Sequence, residues 1–276
     1  MKTALTDSQI ESYQENGCLV YRGLLSEFEV KELLDSISSA VEILGTKKVA
    51  GTSSMNESES QKDTKNADYY AGVFLQKVNL WRVSAYIKQM FLGPELGEMV
   101  TTLAGVEGMR VWHDQTLQKM PWANPTGWHT DNPKWSFHSP HAISIWIALD
   151  DASVQNGCLY YISGSHKSAQ FDKNVGIGQN IGALFKGHPD WAKQEPVVAT
   201  MRREDCGFHN GLTAHGAGPN MTPYPRRAMT CAYMPNGSTF NGQQNILPTD
   251  YSDMLEVGDL LDNEEQNPLV YRTAES

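Results

Sequence analysis

The spacing of apolar and polar positions changes once along this chain, near residue 109. Before that point it is helical. Thr6-Asp7-Ser8-Gln9 is a capping box, in which a hydroxyl and a glutamine three residues on satisfy free backbone N–H groups. The helix it opens should stop at Gly17. Cys18 to Tyr21 reads as a short strand. Ser26-Glu27-Phe28-Glu29 is a second capping box, opening a longer helix with Val30, Leu33, Leu34, Ile37 and Val41 on one face and Gly45 at its end. Residues 94–103 predict a further helix, with Pro94 in the first turn and Gly105 past the end. Between these, residues 46–68 are Ser, Lys, Asn and Glu with almost nothing to bury, and read as a surface loop. Beside a pocket such a loop would serve as a lid, although most surface loops have no such role.

From residue 109 onward, short runs alternate with Gly, Pro and Asn. Residues 110–119, 141–149, 158–162, 196–200 and 226–234 are expected strands, and Asn156-Gly157 is a tight-turn signal between two of them. Without helical segments between them, these runs predict an antiparallel sandwich or jelly roll rather than a parallel sheet. The expected architecture is mainly β with flanking helices in one domain over 1–276. A helical part, 1–108, packs on a core, 109–236, and a tail, 237–276, follows.

Composition narrows the function. The 276 residues are 40% hydrophobic and 20% charged, a globular balance, and the longest uncharged apolar run, 142–149, is too short to cross a bilayer. A formal charge of −10 argues against nucleic acid or an anionic membrane as partner, and leaves a small molecule as the expected one. The start of the chain lacks the apolar core of a secretory signal. Cys18, Cys158, Cys206 and Cys231 form no C-x-x-C pair, so neither a disulfide framework nor a zinc knuckle is indicated and a reduced cytoplasm is the expected location.

The candidate chemistry is metal chemistry. His129-Thr130-Asp131 is an H-x-D pair, and in a strand residues i and i+2 share a face about 7 Å apart. Alone this says little, because eight histidines and 32 acids in 276 residues give about one such pattern by chance. His188-Pro189-Asp190 is such a decoy, its proline being unsuited to a strand interior. With a second imidazole from His215, the pair would make the two-histidine, one-carboxylate set that holds Fe(II) on one face and leaves the other open.

A family resemblance brings the distant segments together. Trp128-His129-Thr130-Asp131, residues 145–152, Asn156-Gly157-Cys158-Leu159 through Gly164-Ser165-His166, His215-Gly216-Ala217-Gly218-Pro219-Asn220 and Pro225-Arg226-Arg227-Ala228 resemble the phytanoyl-CoA dioxygenase family in order and spacing. The likeness runs from about residue 6 to 236. It implies a double-stranded β-helix (a cupin-like jelly roll) and an Fe(II)- and 2-oxoglutarate-dependent dioxygenase. Such an enzyme uses O2 to hydroxylate an aliphatic C–H of a small molecule, releasing succinate and CO2. It further implies that His129, Asp131 and His215 ligate iron, with His209 as competitor for the third place. Arg226, eleven residues after His215, holds the distal carboxylate of 2-oxoglutarate, and Arg227 should face away. Ser144 and Trp146, on one face of a strand, and Gln118 are the further cosubstrate contacts that follow from the likeness.

One residue departs from the family pattern. Many members carry serine two residues after the distal histidine, and here that position is Ala217, so one hydrogen bond to the cosubstrate is lost or comes from elsewhere. Asp131 fills the place that halogenating relatives leave small. The substrate is expected against 132–137 and the 46–80 region, with Trp135, Phe137 and Trp122 as walls. His113, His138, His141 and His166 either line the pocket or sit in loops. Two other classes fit the same residues: a metal-binding jelly roll with no 2-oxoglutarate turnover, acting as a binding or sensing module, and a zinc hydrolase. Neither needs an arginine at 226.

Overall fold

A computed structural model describes residues 1–45, 69 and 72–274. The loop expected over 46–68, and its role as a lid, lie outside the described residues. Both capping boxes form as read, opening α1 (Asp7–Asn16) and α2 (Glu27–Leu44), and β1 (Cys18–Tyr21) lies between them. Gly17 ends α1 at φ +70°, where a Cβ would lie 2.3 Å from His166 Nδ1, so the turn needs glycine for both backbone and space. The chain continues through β2 (Leu75–Val78), α3 (Ala85–Leu92), α4 (Pro94–Ala104) and β3 (Gly108–Lys119).

The strands that follow are β4 (Thr126–His129), β5 (Ile143–Ala148), β6 (Leu159–Tyr161), β7 (Val197–Ala199), β8 (Cys206–Asn210), β9 (His215–Ala217) and β10 (Arg226–Pro235). A short α5 (Thr249–Ser252) precedes β11 (Leu269–Arg272). The larger sheet runs β1-β8-β5-β10-β3-β11, with β2 also on β3, and the smaller runs β4-β9-β6-β7. All pairs are antiparallel, and the two sheets form the jelly roll.

The architecture follows from strand parity in the larger sheet. Ile143, Ile145 and Ile147 of β5, with Met229, Cys231 and Tyr233 of β10, join Leu33 and Ile37 of α2, Phe91 of α3 and Val100 of α4 in one buried cluster. The alternate residues, Trp146, Ala148 and Ala228, pack with Leu159, Tyr161 and Ala217 of the smaller sheet. Side chains alternate faces along a strand, so one face of the sheet is sealed by helices and the other builds the interior of the roll. Truncating any of these isoleucines to alanine should cost about 2–5 kcal/mol, the usual penalty for a core cavity.

The boundary expected at residue 109 is not a structural one. β1 and β2 come from the helical third, and β11 returns from the tail to pair with β3 through Leu269↔Arg110. Tail residues Phe240, Ile246 and Leu261 bury against Trp112 and Trp135. No described helix is long and apolar enough to cross a membrane. All four cysteines are free and buried.

Candidate active site

β4 and β9 are adjacent antiparallel strands, and their register sets His129 directly opposite His215. The two rings lie 4.2 Å apart between centroids. His129 Nδ1 is 2.9 Å from the Gly127 carbonyl, and His215 Nδ1 is 3.0 Å from that of Thr213. A carbonyl only accepts, so both Nδ1 atoms carry the proton and both Nε2 lone pairs are left for a metal.

Asp131 completes the set, though not from a strand. β4 ends at His129, and Asp131 has right-handed helical angles, φ −84° and ψ −56°, heading a 3-10 turn over Asn132–Lys134. The expectation that an extended segment presents both ligands is therefore corrected. A bend just past the strand end delivers the carboxylate, held by the Asp131 and Asn132 N–H groups donating to the Gly211 carbonyl at 3.0 and 2.9 Å. Ligand atoms of His129, Asp131 and His215 all lie within 4.8 Å of one another, the spacing of groups around one cation.

Charge supports the same reading. Burial, helped by Lys134 and His209 at His129 and by His129 and His209 at His215, holds both below the usual histidine range against the pull of Asp131, so both are neutral near pH 7 and able to ligate. Burial alone would raise the Asp131 carboxyl, but His215, His209 and His129 outweigh it and keep the group ionised. Two neutral nitrogens and one carboxylate oxygen on one side of an ion fit a divalent iron and leave the opposite side free for other ligands.

Of the other histidines, His209 stands beside this set, its Nε2 3.2 Å from Asp131 Oδ2. His113 is buried and lines the same cavity, its Nδ1 having no hydrogen-bond partner among the described residues. The rest are elsewhere. His188, of the decoy pattern, stacks on Trp191 at 3.6 Å, His138 stacks on Phe171, and His141 and His166 bond backbone carbonyls of Ala104 and Gln14.

A cavity of about 100 Å³ connects the triad to Arg226. Ser144, Trp146, Thr230, Leu159 and Ala217 are among its walls. Ser144 Oγ is 3.5 Å from Asp131 Oδ2, and Trp146 is the next residue on that inward face. The Arg226 guanidinium lies 4.9 Å from the Trp146 ring and lines the same cavity as the triad. A cavity with metal ligands and a guanidinium among its walls suits a 2-oxo diacid chelated at one end and gripped at the other.

Arg226 is 2% exposed, and its Nε and Nη1 have no hydrogen-bond partner among the described residues. Burial draws it down to about 10, still charged at neutral pH. A buried guanidinium with open donors has the chemistry to bind a carboxylate. Arg227 faces the other way and grips Asp150 with Nε and Nη2 at 2.8 and 2.6 Å.

Some expected contacts lie outside the cavity. Gln118 pairs with Arg227, not with Arg226, and so takes the opposite face of β3 from the inward residues Leu117 and Gln115. Trp135 lines the cavity, whereas Phe137 packs edge-on against Trp112 behind it and Trp122 is 66% exposed on the surface. Thr126 and Gln115 belong to the walls and escaped the sequence reading, while Phe74 and Gln76 come from the 46–80 region expected against the substrate. Thr126 lies directly across from Ala217, which places a hydroxyl beside the position where many relatives have serine.

Comparison with known proteins agrees with this geometry. The sequence model of the family described as phytanoyl-CoA dioxygenase (PhyH) matches residues 13–228. A methylphosphonate hydroxylase from Gimesia maris is 24% identical over 84% of this chain and 82% of its own. A probable alpha-ketoglutarate-dependent hypophosphite dioxygenase from Stutzerimonas stutzeri is 30% identical over 46% of either chain. Among solved structures, the non-heme alpha ketoglutarate dependent carbocyclase SnoK of nogalamycin biosynthesis has a TM-score of 0.76 at 25% identity, over 97% of both chains. The epimerase SnoN, solved with Fe3+, alpha ketoglutarate and nogalamycin RO, has a TM-score of 0.71 at 24% identity, over 96% of this chain and 98% of its own. The chain belongs to the phytanoyl-CoA dioxygenase family of iron- and 2-oxoglutarate-dependent oxygenases.

Proposed function

We propose that this protein hydroxylates an aliphatic C–H of a small-molecule substrate, using Fe(II), 2-oxoglutarate and O2 and releasing succinate and CO2. The observation that carries the reading is the pairing of a one-sided ligand triad with a buried, unsatisfied Arg226 in a single cavity. A binding module or a metal hydrolase has use for the triad and none for the arginine.

His129, Asp131 and His215 would hold the iron, and Arg226 would fix the distal carboxylate of 2-oxoglutarate. The bound iron and cosubstrate supply the oxidising chemistry. The chain supplies placement. The Nδ1–H bonds to Gly127 and Thr213 keep the ligand rings in one tautomer, and the Trp146 ring beneath the guanidinium fixes where the diacid ends. Leu159 and Ala217 make the wall there apolar and exclude water. Asp131 occupies the coordination place that a chloride would need, which favours hydroxylation over halogenation. The polar groups His113, Gln115 and Gln76 with Trp135 are left to face the substrate.

The likeness to a carbocyclase favours a second outcome, oxidation without oxygen insertion. A screen of metabolites for succinate formation under 18O2 separates the two. Hydroxylation places one 18O in succinate and one in the product; cyclisation or epimerisation leaves the product unlabelled. Turnover without O2 would overturn the oxygenase reading.

A further inference from the structure

Lys119 is fully buried and lies directly across the β3–β10 pair from Arg226. Opposite residues on antiparallel strands share a face, so both cations point into the roll. The Lys119 ammonium donates to one neutral acceptor, the Asn124 carbonyl, at 2.6 Å. Its stem passes beneath the Asn156-Gly157 turn, where a Cβ on Gly157 would lie 2.7 Å from Lys119 Cδ. No carboxylate of the described residues hydrogen-bonds either cation. Asp150, whose field reaches Arg226, is engaged by Arg227.

Two buried like charges paired across adjacent strands, one of them lining the cavity, are unfavourable unless an anion joins them or one of them discharges. The titratable groups around them do not provide the anion. Arg226 faces Lys119 from β10, Cys158 approaches Arg226 from the turn, and Tyr160 of β6 hydrogen-bonds Cys158. Burial raises both the Cys158 thiol and the Tyr160 hydroxyl, which keeps them neutral at pH 7. Burial, then Arg226, lowers Lys119 to about 7, so the discharged form is accessible near neutrality.

We propose that Lys119 is a second, switchable cation of the cosubstrate site: the distal carboxylate of a 2-oxo diacid settles on Arg226, and Lys119 takes up a proton as it does. The inference rests on the reading of the cavity as a 2-oxoglutarate site. Lys119 is a positioning residue, acting through Arg226 rather than touching the reacting atoms. The proton comes from solvent and converts the amine to the ammonium; nothing else changes bonding. In the empty site the amine form dominates as pH rises above about 7, and a bound carboxylate stabilises the ammonium. Diacid affinity therefore falls with rising pH, by at most about tenfold per unit over the interval between the two states. A 2-oxo monoacid keeps the chelating end and gains nothing from either cation.

The test is anaerobic calorimetry of the Fe(II)-loaded full chain at pH 8, in phosphate and in Tris, whose ionisation heats differ. Titration with 2-oxoglutarate is expected to show uptake of about one proton per molecule bound, and titration with 2-oxobutyrate none. K119M should bind 2-oxoglutarate about tenfold more weakly with no uptake. K119R should restore affinity without uptake. Binding of 2-oxoglutarate by the wild-type chain with no proton uptake overturns the proposal, and needs no variant to fold. Failure of 2-oxoglutarate to bind at all instead overturns the cosubstrate reading on which it rests.

Discussion

Asp131 turns one carboxylate oxygen to His209 and the other to the two ligand imidazoles. His209 Nε2 lies 3.2 Å from Oδ2, while His129 and His215 Nε2 lie 3.5 and 3.8 Å from Oδ1. A carboxylate accepts only, so His209 Nε2 carries the proton and Nδ1 faces the Tyr161 hydroxyl at 3.5 Å. His209 thus orients the acidic ligand. Replacing it with phenylalanine should lower Fe(II) affinity by about 10- to 100-fold with the fold intact. Competition against a chelator measures this, and unchanged affinity would show that Asp131 needs no support.

Arg226 and Arg227 are neighbours with opposite fates. Arg226→Ala should weaken 2-oxoglutarate binding by about 2–5 kcal/mol, the cost of removing a buried partner of a charge pair. Arg227→Ala breaks a partly exposed pair with Asp150 and should cost about 1 kcal/mol of stability or less, leaving cosubstrate affinity unchanged. Parallel binding and thermal-melting measurements compare them. Equal losses of affinity would contradict the assigned faces.

Thr126 is placed to replace the hydroxyl absent at Ala217. Thr126→Val should raise the KM for 2-oxoglutarate several-fold, by the roughly 1 kcal/mol of one hydrogen bond, and Thr126→Ser should largely restore it. Steady-state assays of succinate formation decide the matter. A valine variant with wild-type KM would leave the site without that contact.

His113 predicts an acid limb in stability. Burial lowers it to about 4, although Asp131 opposes the shift, whereas the unfolded chain titrates it near 6.5. The unfolded state therefore binds more protons between these values. His113 contributes stability above pH 6.5 that is lost as pH falls towards 4, at most about 3 kcal/mol. Asp114, raised by burial to about 7, works in the opposite direction across the whole of this range, so the variant difference is the informative quantity. Denaturant melts from pH 4.5 to 7.5 should show a shallower limb in His113→Gln.

Much of this was legible in the chain, and the exceptions have physical causes. The two capping boxes fix local hydrogen bonds and form where read, and the alternation of 143–148 gives both faces of β5. β4 and β9 have four and three residues, too few for any periodicity, so a motif rather than a pattern marks them. Gln118 was placed by correspondence with relatives, but strand parity turns it away and puts Gln115 in the cavity. Lys119 looks like any surface lysine in sequence. Only the register with Arg226 and its complete burial set it apart.

The account turns on whether one cavity holds both a triad-bound iron and the diacid. Anaerobic titration of Fe(II)-loaded protein with 2-oxoglutarate, followed by visible absorption, tests this most directly. The account predicts a charge-transfer band that saturates at one equivalent and is much weakened in Arg226→Ala at the same concentration. Iron bound to the triad with no band at any concentration of 2-oxoglutarate would contradict it.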